Sequence, residues 1–279
     1  MYKIVKKEML SPMVARLTVA APLVARNAKP GQFIILRTDE DGERIPLTIG
    51  GYDRADGTVS VMFQVAGATT EKLMHKEEGE YLQDFAGPLG KPTEIEGLKK
   101  VCVVGGGVGC AIAYPIAKAL HEQGTDVTVI IGFRDTSRII LEKEFTDAAT
   151  TLHLLTDDGS NGRKGFTTVA LEECLNAGER YDEVITIGPL RMMQAVANLT
   201  KPYNIKTTVS MNPIMIDGTG MCGGCRLTVG GEMKFACVDG PDFDGHAVDW
   251  EESLARGAMY REFEKTAYDE TCNLFGKAV

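Results

Sequence analysis

Residues 100 to 190 alternate apolar runs with amphipathic stretches, and this alternation restricts the possible fold more than any other feature of the sequence. Four runs predict strands: KVCVVGGG from Lys100, VTVIIGF, TLHLLTDD and DEVITIGP. The stretches between them, VGCAIAYPIAKALHEQG, RIILEKEF and TTVALEECLNAG, predict helices. Strands that alternate with helices form a parallel, doubly wound α/β sheet. Right-handed crossovers place the loops that follow the strands on one edge of that sheet, where ligands bind.

The segment before residue 98 has a different pattern, typical of a small β-barrel or sandwich. Its short apolar runs are broken by Pro, Gly and Asp, as in KIVKKEML, ARLTVAAP, GQFIILRTD, RIPLTIGGYD and TVSVMFQVAG. ATTEKLMHKEEG is the one good helix candidate there, and it opens at a Thr that can cap it. The chain beyond residue 210 is glycine-rich around three cysteines. It then continues into WEESLARGAMYREFEKTAYDETCNLF, which predicts one helix or two.

These patterns divide the 279 residues into four segments. We expect a β-barrel over 1–97, an α/β nucleotide-binding domain over 98–210, a metal-binding loop domain over 211–245 and a helical tail over 246–279. The net charge of −9 argues against nucleic acid or an anionic membrane as the main partner, because both attract basic surfaces. With no membrane-length apolar run, no signal-peptide core and mostly scattered cysteines, the sequence predicts a reducing, cytoplasmic location.

Three loops predict a dinucleotide site on the edge of the α/β sheet. In the turn GGGVG, glycines let the backbone approach a pyrophosphate, and the following helix presents free N–H groups to it. TDDGS and GPLRM each end a strand on the same edge. The candidate cofactor-binding residues are Gly105, Gly106, Gly107, Gly109, Asp157, Gly188, Pro189 and Met192. The alternative for the glycines is a tight turn that needs small residues, and the alternative for Met192 is a core position.

The barrel segment carries a second group of candidates. In RIPLT, the cation Arg44 is suited to a phosphate, and Thr48 is suited to a flavin ring nitrogen. GATT opens the lone helix of the segment and offers a second anion site. These candidates are Arg44, Pro46, Leu47, Thr48, Gly67, Thr69 and Thr70. Taken singly, each also suits a structural role, as a surface Arg, a strand Thr or a helix cap.

Three cysteines have the spacing of a metal site that lacks one ligand. Cys222, Cys225 and Cys237 form the pattern Cys-x2-Cys-x11-Cys, and Asp217 stands five residues before the first of them, where a fourth ligand fits. Iron accepts carboxylate oxygen as well as thiolate, and a change of ligand alters the reduction potential. Three thiolates and one oxygen donor also suit zinc, so the spacing leaves both metals open.

The order of the motifs R-x-P-L-T, G-x-x-T, G-G-G-x-G and G-P-x-x-M resembles the ferredoxin–NADP reductase superfamily, from the barrel to the end of the α/β segment. That resemblance implies FAD or FMN in the barrel and a nicotinamide dinucleotide in the second domain. The cysteine segment is similar to that of dihydroorotate dehydrogenase electron-transfer subunits, whose two-iron motif is C-x4-C-x2-C-x11–15-C. Here Asp217 replaces the first cysteine and the other ligands are in register.

Asp217, the stretch VDGPDFDGHAVDW and the helical tail resemble one branch of this group, the small subunits of NADH-dependent ferredoxin:NADP oxidoreductases. These enzymes perform flavin-based electron bifurcation, and their homologues include sulfide dehydrogenase subunits. The resemblance implies FAD, NAD(H) and a [2Fe-2S] cluster with Asp217, Cys222, Cys225 and Cys237 as ligands. It also implies a heterodimer with a larger flavin and iron–sulfur subunit, and only an indirect interaction with ferredoxin. No catalytic acid, base or nucleophile is expected, because the protein supplies orientation, electrostatics and distance.

Two other functions stay open. One is the dihydroorotate dehydrogenase electron-transfer subunit, which Asp217 and the long tail disfavour. The other is a redox-sensing or adaptor module without nicotinamide turnover, which the intact GGGVG and GPLRM loops disfavour. The residues also leave NADH and NADPH open, because Arg134 and Arg138 suit a 2′-phosphate whereas Asp135 repels one. The resemblance implies NADH.

Overall fold

The computed structural model describes residues 1–275, and it describes residues 273 and 274 by their backbone alone. The first seven strands are β1 (Tyr2–Ser11), β2 (Val14–Ala20), β3 (Phe33–Arg37), β4 (Ile45–Asp53), β5 (Thr58–Gln64), β6 (Tyr81–Leu82) and β7 (Asp84–Leu89). Two short helices, α1 (Pro22–Asn27) and α2 (Ala68–Met74), lie between them. The strands form one antiparallel sheet in the order β6-β1-β2-β5-β4-β3-β7, which curls into a nearly closed barrel. The predicted barrel is confirmed.

Alternating side chains fill the barrel. Leu17 and Val19 of β2 are fully buried, as are Val59 and Val61 of β5, while the residues between them are partly exposed. Successive side chains of a strand point to opposite faces, so this alternation places one face of each strand in the core. The apolar runs of the sequence therefore become the barrel wall.

The second sheet has five parallel strands: β8 (Lys100–Gly106), β9 (Asp126–Phe133), β10 (Thr151–Thr156), β11 (Glu183–Ile187) and β12 (Lys206–Ser210). The helices that connect them are α3 (Gly109–Glu122), α4 (Glu142–Asp147), α5 (Thr167–Asn176) and α6 (Leu190–Thr200). The strand order is β10-β9-β8-β11-β12, so the direction of winding reverses beside β8. The predicted α/β sheet is confirmed, with its ligand edge at the end of β8.

One predicted helix is wrong in its first half. RIILEKEF was expected to be helical throughout, but the helix begins only at Glu142. Ile140 and Leu141 are buried in the core beside α3, and Leu141 has a φ of 59°. Because a left-handed residue cannot continue a right-handed helix, the core contact of this apolar pair delays the start of α4.

The segment after β12 is tied to both sheets. It contains the hairpin β13 (Arg226–Val229) and β14 (Glu232–Phe235), the strand β15 (Asp242–Asp244), and the helices α7 (Trp250–Arg256) and α8 (Arg261–Leu274). β15 adds to β12 as an antiparallel edge strand. α8 packs on α2 of the barrel, where Phe275 stacks on His75 with ring centroids 3.9 Å apart. The tail thus consists of two helices, and the second returns to the barrel.

A shared core holds the cysteine segment between the two sheets. Phe33 and Ile35 of β3 belong to the same buried cluster of side chains as Met193 of α6, and Cys225 and Cys237 are buried in it. This core fixes the cysteines relative to both the barrel and the α/β sheet. Among the described residues, no helix combines the length and the apolarity needed to span a bilayer.

Candidate functional site

A cleft of about 920 Å³ opens between the barrel and the ligand edge of the α/β sheet. The hairpin between β1 and β2, Ser11–Val14, and Gln64 of β5 form its barrel side. Five of the eight predicted dinucleotide residues line the other side: Gly106, Gly107, Asp157, Pro189 and Met192. The three loops predicted to share one edge therefore meet in one cleft, which faces the barrel.

Gly107 has the backbone geometry that this turn requires. Its φ is +55°, and its N–H donates to the carbonyl of Gly132 at 2.9 Å. A Cβ at this position would meet no atom within 4 Å, so a side chain here would extend into open space of the cleft. Glycine therefore keeps the cleft open at the start of α3 and allows close approach of a ligand to the backbone.

The other three predicted glycines, Gly105, Gly109 and Gly188, do not line the cleft. A Cβ at Gly109 would overlap the carbonyl oxygen of Ile187, and one at Gly188 would lie 2.7 Å from Cε of Met192. At Gly105 the added atom would lie 3.0 Å from Sγ of Cys110. These glycines let α3 and the GPLRM loop pack against the strand ends, which is the small-residue alternative for this part of the motif.

Three arginines, Arg134, Arg138 and Arg191, line the cleft. Arg138 is paired, because its Nε donates to Asp135 at 3.1 Å. The side chains of Ser137 and Arg138 hold the pKa of Asp135 below its ordinary value, so the carboxylate stays charged and occupied. Within the part of the chain that the structure describes, Arg134 and Arg191 have no carboxylate within ion-pair distance. The cleft thus presents two free cations to an anionic ligand.

The two flavin motifs of the barrel lie against each other. β4 carries Pro46, Leu47 and Thr48 as half-buried residues paired with β3. Glu43, just before this strand, accepts a hydrogen bond from the Thr69 hydroxyl at 2.9 Å at the start of α2.

The side chain of Thr70, in the first turn of α2, caps the start of this helix. The Thr70 hydroxyl accepts the backbone N–H of Gly67 at 3.0 Å, as in a capping box. A Cβ at Gly67 would meet no atom within 4 Å. The barrel therefore presents Arg44, the β4 residues and an open glycine backbone on one surface, which fits a flavin and its phosphates.

Asp217 organises the loop before the first cysteine. Its Oδ1 accepts the N–H of Thr219 at 2.9 Å, and its Oδ2 accepts those of Met221 at 3.1 Å and Cys222 at 2.8 Å. These bonds, that of Thr219 first, hold the pKa of Asp217 below its ordinary value, and the Cys222 side chain contributes to the shift. Asp217 is therefore a charged carboxylate beside the Cys222 thiol.

Cys225 and Cys237 form a second pair. The Cys225 thiol donates to Sγ of Cys237 at 3.2 Å, and both side chains are buried. Burial and the contact with Cys225 raise the pKa of Cys237 to about 12, and the charge of Asp217 adds to this shift. Within residues 1–275, no three His, Cys, Asp or Glu side chains are grouped tightly enough for a single metal ion. The two pairs suit a two-iron cluster, in which each iron takes two protein ligands.

Arg44 joins the flavin surface to the cysteine segment. Its Nε donates to the carbonyl of Ile216 at 2.9 Å, and its NH1 lies 3.6 Å from Asp84. Gly218 packs against β3 so closely that an added Cβ would lie 2.8 Å from Cγ1 of Ile35. The residue before Asp217 thus contacts the barrel residue that was predicted to bind a flavin phosphate. Sequence spacing gave no signal for this contact or for Ser11–Val14 in the cleft, whereas Arg191 belongs to the GPLRM loop that was predicted at the ligand edge.

Comparison with known proteins identifies relatives over nearly the whole chain. The model of the iron–sulfur cluster binding domain of dihydroorotate dehydrogenase B matches residues 212–249. A Clostridium beijerinckii protein encoded in the adh 3′ region is 52% identical over 96% of this chain and 93% of its own length. A homologue of the dihydroorotate dehydrogenase B (NAD(+)) electron-transfer subunit from Thermotoga maritima is 44% identical over 99% of this chain and 97% of its own length.

Among solved structures, a chain from the NADH-dependent reduced ferredoxin-NADP oxidoreductase, described for flavin-based electron bifurcation, is 42% identical. It superimposes with a TM-score of 0.92 and covers 97% of both chains. The order of barrel, α/β sheet, cysteine segment and tail is therefore shared along the full length.

Proposed function

The chain belongs to the family of dihydroorotate dehydrogenase B electron-transfer subunits and their homologues, and from this premise we propose that it is the electron-transfer subunit of a flavin-based, bifurcating NADH-dependent ferredoxin:NADP oxidoreductase. It is an oxidoreductase component that uses FAD, a [2Fe-2S] cluster and NAD(H). The 42% identity and the full-length superposition with a chain of such an enzyme favour this branch of the family. The partner in this proposal is a larger flavin and iron–sulfur subunit in a heterodimer, through which ferredoxin is reached indirectly.

Bound FAD accepts a hydride from NADH and releases electrons singly, and a [2Fe-2S] cluster carries one electron at a time. The residues of this chain supply the positions for these groups. The proposed FAD residues are Arg44, Pro46, Leu47, Thr48, Gly67, Thr69 and Thr70. The proposed NAD(H) residues are Gly105, Gly106, Gly107, Gly109, Asp157, Gly188, Pro189 and Met192, with Gly105, Gly109 and Gly188 acting through packing. Asp217, Cys222, Cys225 and Cys237 are the proposed cluster ligands.

The observation that carries this proposal is the continuity of the three sites. The nicotinamide cleft opens directly onto the barrel, and Arg44 of the flavin surface binds the residue before Asp217. Distance controls electron transfer, so a chain that brings the three sites into contact is suited to conduct electrons from one end to the other. The four proposed domains, 1–97, 98–210, 211–245 and 246–279, correspond to flavin, nicotinamide, cluster and tail. Because none of the seven cysteines forms a disulfide in the described structure, and three of them are proposed cluster ligands, we also place the protein in the reducing cytoplasm.

Anaerobic purification of the chain, alone and with the product of its neighbouring gene, tests this function. For the chain alone we expect one FAD and about two irons with acid-labile sulfide, as a [2Fe-2S] cluster requires. We also expect NADH oxidation with an artificial acceptor, and NADPH-linked ferredoxin chemistry only in the complex. Zinc in place of iron would refute the cluster, and absence of NADH oxidation would instead favour a redox-sensing or adaptor module.

A second candidate, the dihydroorotate dehydrogenase electron-transfer subunit, is favoured by the family model that matches residues 212–249. The same purified complex separates the two. Dihydroorotate oxidation coupled to NAD⁺ reduction would support the second candidate, and a complex that is inactive with dihydroorotate but active with NADPH and ferredoxin would support the first.

A further inference from the structure

Two arginines bind the carbonyls between the two neighbouring cysteines of the cluster segment. Arg226, the first residue of β13, donates from NH1 to the carbonyl of Gly223 at 3.2 Å. Arg256, the last residue of α7, donates from NH2 to the carbonyl of Gly224 at 3.0 Å. Two of the three peptide units of the Cys-Gly-Gly-Cys turn are therefore held by a guanidinium group from outside the turn.

The first of these peptide units points at a cysteine sulfur. Its carbonyl is that of Gly223, which Arg226 binds, and its N–H is that of Gly224, which donates to Sγ of Cys222 at 3.4 Å. A hydrogen bond to a carbonyl polarises the peptide and strengthens the N–H on its other side as a donor. The charge of Arg226 is thus directed at Cys222 through one peptide bond.

Neither arginine is neutralised by a carboxylate. In the described chain, no acidic side chain lies within ion-pair distance of Arg226 or Arg256. Two nearby acids are engaged elsewhere, because Glu252 of α7 accepts the N–H of Thr228 at 2.9 Å and Asp249 caps the helix. Arginine stays charged at all accessible pH values, so the positive charge beside the turn is permanent.

The surroundings of Arg256 weaken solvent screening, whereas Arg226 is exposed. Both line a groove of about 260 Å³ whose other walls include Met211, Leu227 and Leu190. The Nε of Arg256 is buried and has no hydrogen-bond partner among the residues described. A charge next to apolar walls acts over a longer range than one in water.

We propose that Arg226 and Arg256 are positioning residues that fix the Cys222–Cys225 turn and raise the reduction potential of the cluster. This inference rests on the proposed function, because it requires a cluster at these cysteines. Reduction adds negative charge to the cluster, so fixed cations and polarised N–H groups directed at its sulfurs stabilise the reduced state. The pair acts without touching the iron, and removal of either charge lowers the potential.

An EPR-monitored redox titration of the purified, cluster-containing chain tests the proposal with Arg226→Gln and Arg256→Gln. We expect a more negative potential in both variants. In Arg226→Lys and Arg256→Lys, most of the original potential should remain, because a cation is kept. Lys234→Gln is the matched control: it removes a cation of the same segment that is already paired with Glu232, and its potential should equal that of the wild type.

The outcomes separate this inference from the proposed function. A wild-type chain without iron refutes the cluster itself, and with it both ideas. The inference alone is refuted if both Gln variants keep their full iron content and an unchanged reduction potential. It is also refuted if Lys234→Gln shifts the potential equally, or if a Lys variant has a potential as low as that of its Gln counterpart. If a Gln variant loses its iron, the Lys variant at the same position decides. A Lys variant that retains its iron and its reduction potential supports the positioning role, and loss of iron in both the Gln and the Lys variant contradicts it.

Discussion

Replacement of Asp217 by Cys separates the two roles that the structure gives this carboxylate. Asp217 accepts three backbone N–H groups, from Thr219, Met221 and Cys222. An ionised carboxylate has about four acceptor positions, so one position on Oδ1 is left for a metal. Capping of the loop and ligation of iron are therefore compatible in the native protein. The Cys variant restores a four-thiolate pattern but removes the cap.

The loss of the cap has a predictable size. The loop is partly exposed, so water replaces part of each lost bond, and removal of a comparable helix cap costs about 0.5–2 kcal/mol. We expect Asp217→Cys to destabilise the chain by about 1–2 kcal/mol when the cluster has been removed by chelation, as measured by thermal or urea unfolding. With the cluster bound, metal ligation by the new thiolate should offset this loss.

The electronic effect has an unambiguous sign. Thiolate donates more strongly than carboxylate and carries the same charge, so it favours the oxidised cluster and lowers the reduction potential. Redox titration by EPR measures this change, and iron analysis shows whether the cluster is retained. Hydride transfer from NADH to the flavin should be preserved, because it precedes the cluster. An unmoved potential and spectrum would refute ligation by Asp217.

Three further changes test other parts of the structure. Arg44→Ala should weaken FAD retention during dialysis and loosen the loop at Ile216, and unchanged FAD content would contradict the assignment. Gly107→Val should raise the KM for NADH with FAD retained, whereas Gly124→Ala, which also alters a glycine of positive φ (+90°), should leave the KM unchanged. Burial raises the pKa of Asp242 to about 6, although the hydrogen bond from Thr93 lowers it in part. The folded chain therefore keeps this proton at pH values where the unfolded chain loses it, so the free energy of unfolding should fall as the pH rises from about 4 to 6. Asp242→Asn should remove this dependence, as unfolding at pH 4 and pH 7 will show.

The sequence predicted the elements whose pattern is local. Alternating burial in β2 and β5, and the glycine turn before α3, follow from side chains a few residues apart. RIILEKEF was the exception, because its first three apolar residues serve the core under α3 instead of a helix face. A short apolar run looks the same in sequence whether it forms a helix face or fills the core outside a helix, so only the folded structure distinguishes the two.

Contacts between distant segments could not be predicted in the same way. The cleft owes its barrel wall to Ser11–Val14, which in sequence form only a turn between two strands. The return of α8 to α2 and the bond from Arg44 to Ile216 join residues far apart in the chain. Such contacts depend on how two sheets are placed by a shared core, and periodicity contains no information about that placement.

Asp217→Asn resolves what spacing left ambiguous, whether the carboxylate is only a cap. In the native protein Oδ2 accepts two N–H groups and Oδ1 accepts one. In the Asn variant, an amide oxygen at the Oδ2 position keeps two of these three bonds. The opposite orientation is unfavourable, because it would direct the NH2 group at two donors. The NH2 group then occupies the position of Oδ1, where it cannot bind iron. If Asp217 only caps the loop, the Asn variant should therefore keep its iron, and only Asp217→Ala could lose it. A ligand would lose a stable cluster in both variants, which is the result we expect from iron and sulfide analysis after anaerobic purification.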